Sequence, residues 1–128
     1  MYSLEYDEDH GLIRCAVSRH FSVEDVERQA VLAAQALDRC RARHGDLKIL
    51  SIIDSAIQDG EVMVAAQRTR AAILTGPYDR MAFVFRSSLA KQQMGGFFES
   101  TKEKAFVSEN AAITWLLADR QMNRGVAA

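Results

Sequence analysis

The sequence predicts one α/β domain: an N-terminal β-hairpin followed by α-β-α-β-α-β-α, giving a mixed sheet with a mainly parallel later part and packed helices. Two alternating apolar–polar runs at the start, over 2–7 and 13–17, have the period of half-buried strands. Ile49, Leu50, Ile52 and Ile53 are apolar on both faces of a strand, as in the interior of a parallel sheet. Between and after these runs, capped amphipathic stretches alternate with short apolar ones, the order produced by crossover connections.

Tyr2, Leu4 and Tyr6 share one face of the first strand, and Ile13, Cys15 and Val17 one face of the second. Asp7-Glu8-Asp9-His10-Gly11 between them is a polar turn whose glycine can take a positive φ. Ser22 reads as a helix N-cap, with Phe21 and Val26 placed as a hydrophobic staple and Asp25 completing a capping box. Val23, Val26, Ala30, Ala33, Leu37 and Cys40 step by three and four along one stripe. Acids in the first turns, Arg39, Arg41, Arg43 and His44 in the last, and Gly45 as terminator complete a helix of about 20 residues, or about 30 Å.

A second helix is expected over Glu61–Leu74, capped by Asp59 and stopped by Thr75-Gly76-Pro77. Met81–Phe85 forms the next interior strand. Ser87 or Ser88 caps a third helix over Leu89–Ser100, with Gly95 and Gly96 in its middle at a cost of about 1 kcal/mol each. Lys104–Val107 is the last strand, and Ser108 caps a final helix carrying Ala112, Trp115 and Leu116. The domain is expected to occupy residues 1–119, and 120–128 to form a fraying tail.

At 128 residues the chain suits a single core, and a formal net charge of −1 gives no global pull toward nucleic acid. The arginines at 39, 41 and 43, with Arg68 and Arg70, lack interleaved aromatics, so nucleic acid is not an expected partner. No apolar run is long enough to span a bilayer, so stable membrane insertion is not expected. The acidic N-terminus is unlike a secretory signal. Cys15 and Cys40 have no partner at metal-ligand spacing and read as buried thiols, implying a cytoplasmic location.

The N-terminal hairpin, the long helix, the Ile/Leu/Asp strand and the closing run Lys104-Ala105-Phe106-Val107-Ser108-Glu109-Asn110-Ala111-Ala112-Ile113-Thr114-Trp115-Leu116 together resemble the SpoIIAA-like proteins of the STAS superfamily, a group also classed with the CRAL-TRIO lipid-carrier fold. The resemblance spans roughly residues 2–118 and rests most on the Ala-x-x-Trp-Leu pattern at Ala112, Trp115 and Leu116. It implies a compact α/β domain with no enzymatic activity and no cofactor, binding either an apolar small molecule or a protein partner.

Two candidate sites follow. Ile53-Asp54-Ser55 matches the start of the STAS phosphoswitch setting, but Ala56-Ile57 stand where that motif has Ser-Gly, and a polar strand exit explains the same residues. Met94-Gly95-Gly96-Phe97-Phe98 could instead form a lid over an apolar pocket lined by Phe83, Phe85, Met94, Phe97, Phe98 and Trp115, although ordinary core packing also accounts for Phe97. Catalytic and metal motifs are lacking: there is no P-loop, nucleophile elbow, His-Glu-x-x-His or Cys-x-x-Cys. The expected function is apolar-ligand binding by a homodimer, with a regulatory interaction domain switched at Ser55 as the alternative.

Overall fold

The computed structural model describes residues 2–17, 22–54 and 60–120. Strands β1 (Tyr2–Asp7) and β2 (Leu12–Val17) pair antiparallel, and helix α1 (Val23–His44) leads to β3 (Lys48–Ile53). Then come α2 (Gly60–Ile73), β4 (Arg80–Phe85), α3 (Ser88–Met94), a 3-10 turn (Gly95–Phe98), β5 (Glu103–Phe106) and α4 (Glu109–Asp119). The sheet order is β1-β2-β3-β4-β5, and every pair after the first is parallel. This is the mixed sheet that the sequence patterns predict.

Local signals fix α1. The Ser22 hydroxyl accepts from the Asp25 N–H at 3.2 Å, and the Asp25 carboxylate accepts from the Ser22 N–H at 3.0 Å. These bonds satisfy donors that the first turn leaves without intrahelical partners. At the other end Gly45 takes φ 75°, and its N–H donates to the Arg41 carbonyl at 2.8 Å. Phe21 and Asp59, the expected staple and cap, lie outside the described residues.

Register divides the side chains between two faces. Leu4, Cys15, Ser51, Phe83 and Ala105 are successive partners across all five strands, so they point the same way. On this side Ile13, Cys15 and Ile49 pack with Ala36 and Cys40 of α1, while Phe83, Phe85 and Ala105 pack with Met63, Met94 and Phe98. Leu50, Ile52, Ala82 and Val84 point to the opposite face, where Ala112 and Leu116 of α4 cover them. Helices therefore cover both faces.

The third helix differs from the expectation. It ends at Met94, and the glycines open the 3-10 turn instead of interrupting a longer helix. Gly95 is buried at φ −57°, yet an added Cβ would meet the Ala105 Cβ and Lys91 Cγ at an ordinary 3.7 Å. Close backbone approach therefore does not require a glycine here. Gly95→Ala is expected to raise stability by about 0.4–1 kcal/mol through the unfolded state. Urea unfolding checks this: the midpoint should rise at constant slope, and a fall would show a hidden clash.

Candidate functional site

Between α1, α2 and the first sheet face lies a cavity of about 170 Å³. Its roof is two helical stripes with the same spacing: Val26, Ala30, Ala33 and Leu37 on α1, and Val62, Ala66, Thr69 and Ile73 on α2. Its floor comes from the rows containing Cys15, Ser51 and Phe83 and Ile13, Ile49 and Met81. Alanine supplies three of these roof positions. Side chains that short fill less of the space above the sheet than the larger residues beside them, and the remainder is the cavity.

The polar groups around this void are mostly engaged. Thr69 donates to the Ala65 carbonyl at 3.0 Å. The Arg70 guanidinium lies 5.0 Å from the centroids of both Phe83 and Phe98, donates from Nε to Glu103, and donates to the Phe97 carbonyl at 2.9 Å. Arg70 thus ties α2 to β5 and closes one end of the cavity with an already neutralised charge. Burial pushes the Cys15 thiol above its ordinary pKa, with the Ser51 hydroxyl working weakly against it. Cys15 is accordingly a packed thiol whose burial favours the protonated form over the thiolate. Gln29 is the exception: its Nε2 is buried with no hydrogen-bond partner among the described residues.

The expected pocket residues separate. Phe83, Met94 and Phe98 line the cavity, with the Phe83 and Phe98 rings 4.5 Å apart. Phe85 is buried on the same side, 5.6 Å from Phe98, and borders a separate recess with Ile53, Asp54, Arg86, Ala90 and Met94. Phe97 is not a lining residue, being 47% exposed with its carbonyl turned to Arg70 and Gln67. Trp115 is not one either. The connection after β5 carries α4 to the opposite face, where Trp115 packs on Phe106 and under the Arg80 guanidinium. The cavity sits under α1 and α2, and the glycine-containing segment contributes one end of it.

At the carboxyl edge of the sheet Asp54 is exposed and pairs with Arg86 at 3.2 Å, while Ser55 lies outside the described residues. The arginines of α1 are paired within the chain: Arg39 with Glu8 at 3.2 Å, Arg43 with Asp9 at 3.6 Å, and Arg41 with Asp79 at 2.7 Å. Among the described residues no group of His, Cys, Asp or Glu could hold a metal ion, and no helix is long and apolar enough to cross a membrane.

A buried ionic cluster that no sequence pattern announces lies at the amino ends of β3 and β4. Lys48 is wholly buried, with Nζ 2.8 and 2.9 Å from the two Asp119 oxygens and 3.6 Å from Asp46. It also donates to the Tyr78 carbonyl. Arg120 covers the cluster, donating from Nε to both Asp46 oxygens at 3.1 Å and from Nη2 to the Gly11 carbonyl at 3.0 Å. Residue 120 is therefore anchored; residues 121–128 lie outside the described part. Burial pulls the Lys48 pKa below its ordinary value, opposed by the hydrogen bond to Asp119 and the charge of Asp46. A depressed lysine can signal catalysis. Here the amine is fully enclosed and fully engaged, so the cluster acts as a structural clasp. Comparison of the chain with protein-family models, characterised proteins and solved structures finds no match.

Proposed function

We propose that this chain is a non-enzymatic binding module that holds a small apolar ligand between α1, α2 and the sheet. The observation that carries the proposal is the cavity itself, about 170 Å³ and bounded mainly by aliphatic and aromatic side chains. Well-packed interiors keep few voids larger than a water, so one of this size has a cost in lost packing. Its volume decides the ligand class. A cavity of about 150 Å³ lined by apolar side chains stays dry and takes up benzene, whereas drug-sized ligands occupy roughly 300–1,000 Å³. The ligand is accordingly a single ring or a short branched chain, since the space is too small to enclose a whole long acyl chain. This narrows the lipid-like ligand implied by the SpoIIAA-like resemblance.

Toluene titrated into protein purified without detergent tests the proposal. It is expected to raise the Tm and to shift methyl resonances of Ala30, Ala33 and Ile73. Ala33→Leu fills the space, so the variant is expected to gain about 0.5–2 kcal/mol without ligand and to lose the toluene response. An unchanged Tm at saturating toluene, or equal responses from the two proteins, rules the reading out.

A second reading is a regulatory interaction domain that associates with itself or another protein. Val31 and Leu32, adjacent on α1 and 75% and 64% exposed, favour it. Light scattering of Leu32→Glu tests self-association through this patch: the mass is expected to fall on substitution, and an unchanged mass rules out a dimer built on it.

A further inference from the structure

Gln29 interrupts the apolar stripe of α1, three residues after Val26 and four before Ala33, and it lines the cavity with them. Its Nε2 is out of contact with solvent and unpartnered among the described residues. A buried amide donor without an acceptor destabilises a fold, and native structures tolerate few of them without a functional or structural reason. Neighbouring groups do not supply one. Arg70 carries donors only, and the Thr69 hydroxyl, which gives its proton to the Ala65 carbonyl, does not accept from Gln29. A water there would find few of the two to four polar partners it needs, because the surrounding surface is mainly aliphatic and aromatic, with Ser51 and Thr69 as its hydroxyls besides Tyr2.

We infer that Gln29 is the polar anchor of the cavity, donating from Nε2 to a hydrogen-bond acceptor on an otherwise apolar ligand. This deepens the proposed function and rests on it. Ligand sites of this type combine apolar walls with a small number of placed polar groups that set orientation and selectivity. The acceptor is uncharged. Burying a carboxylate requires a free cation, and Arg70, the cavity's cation, is already neutralised by Glu103. The ligand class is therefore a neutral ketone, ester or ether built on one ring or a short branched chain.

Acetophenone and α-methylstyrene form the test pair, since they differ mainly in a carbonyl oxygen in place of a methylene group. Dissociation constants of both are measured for the full chain and for Gln29→Met, which keeps the length and removes the donor. The ratio of the two constants is expected to move about three- to tenfold toward α-methylstyrene in Gln29→Met. The unliganded variant is expected to melt no lower than the parent protein, because it loses an unpaired group only. Gln29→Leu repeats the measurement should the methionine variant fail to fold. An unchanged ratio overturns the inference while leaving the cavity reading intact, and absence of binding by either compound overturns both. Benzoate is expected to bind at least tenfold more weakly than acetophenone. Equal binding of benzoate overturns the neutral class.

Discussion

Lys48→Met is expected to lower stability by about 3–5 kcal/mol, the usual cost of removing one partner of a buried ion pair. The substitution leaves Asp119, 4% exposed, without the ammonium that both of its oxygens approach within 2.9 Å. It also removes the donor to the Tyr78 carbonyl, while Asp46 keeps Arg120. Against a total stability of about 5–15 kcal/mol this is a large fraction, and Tm should fall by roughly 10–20 °C. The double variant Lys48→Met/Asp119→Leu separates the cost of an orphaned charge from the net worth of the pair. Apolar replacement of both members of a buried pair is often neutral or stabilising, so the double variant should recover most of the loss. Equal stability of Lys48→Met and the parent protein, measured by urea unfolding, would falsify the clasp as a structural element.

The order of elements was legible because strand and helix periods are local properties. Ser22, Asp25 and Gly45 stand within a few residues of the backbone groups they satisfy, and their chemistry names those positions directly. The ionic clasp was illegible for the opposite reason. Asp46 and Lys48 resemble an ordinary polar entry to a strand, and their burial depends on Asp119 and Arg120, more than 70 residues away. An apolar pocket reaching Phe83, Met94 and Phe98 was legible, but its place under α1 and α2 was not, because that part is made of what is missing. Ala30, Ala33 and Ala66 fit a helix stripe like any small apolar residue, and nothing in a periodic pattern shows that the space over the opposing floor stays unfilled. Gln29 was the available signal, a polar side chain set within an otherwise apolar stripe. The Met-Gly-Gly-Phe-Phe segment is conspicuous by composition, yet the packing of the 3-10 turn and α4 on opposite sheet faces decides that Phe83 and Phe98 meet while Trp115 lies across the sheet.

Asp79→Asn carries the second large effect, and its dependence on pH makes it diagnostic. Asp79 is 1% exposed, and its carboxylate joins three elements. It accepts from the Leu47 N–H at 2.9 Å, from the Gly76 N–H at 2.8 Å and from both terminal nitrogens of Arg41 at 2.7 and 3.3 Å. Gly76 belongs to the same arrangement, since an added Cβ would stand 2.9 Å from Asp79 Oδ1. An asparagine offers one acceptor oxygen and turns an NH2 toward the remaining donors, leaving a buried N–H unpaired. The expected loss at pH 7 is about 3 kcal/mol. Burial alone would push the Asp79 carboxyl upward. The hydrogen bonds from Arg41, Gly76 and Leu47 outweigh it and hold the pKa below the ordinary 3.8. A carboxyl depressed in the folded state binds fewer protons there than in the unfolded chain, so its stabilisation is complete above the unfolded pKa and drains away as pH falls through the folded one. Unfolding curves of the parent protein and Asp79→Asn should therefore stand furthest apart at pH 5–7 and converge below about pH 4. A gap that stays constant from pH 7 to pH 3 would mean that the variant's cost is steric, and that the carboxylate charge does not hold α1, β3 and the end of α2 together.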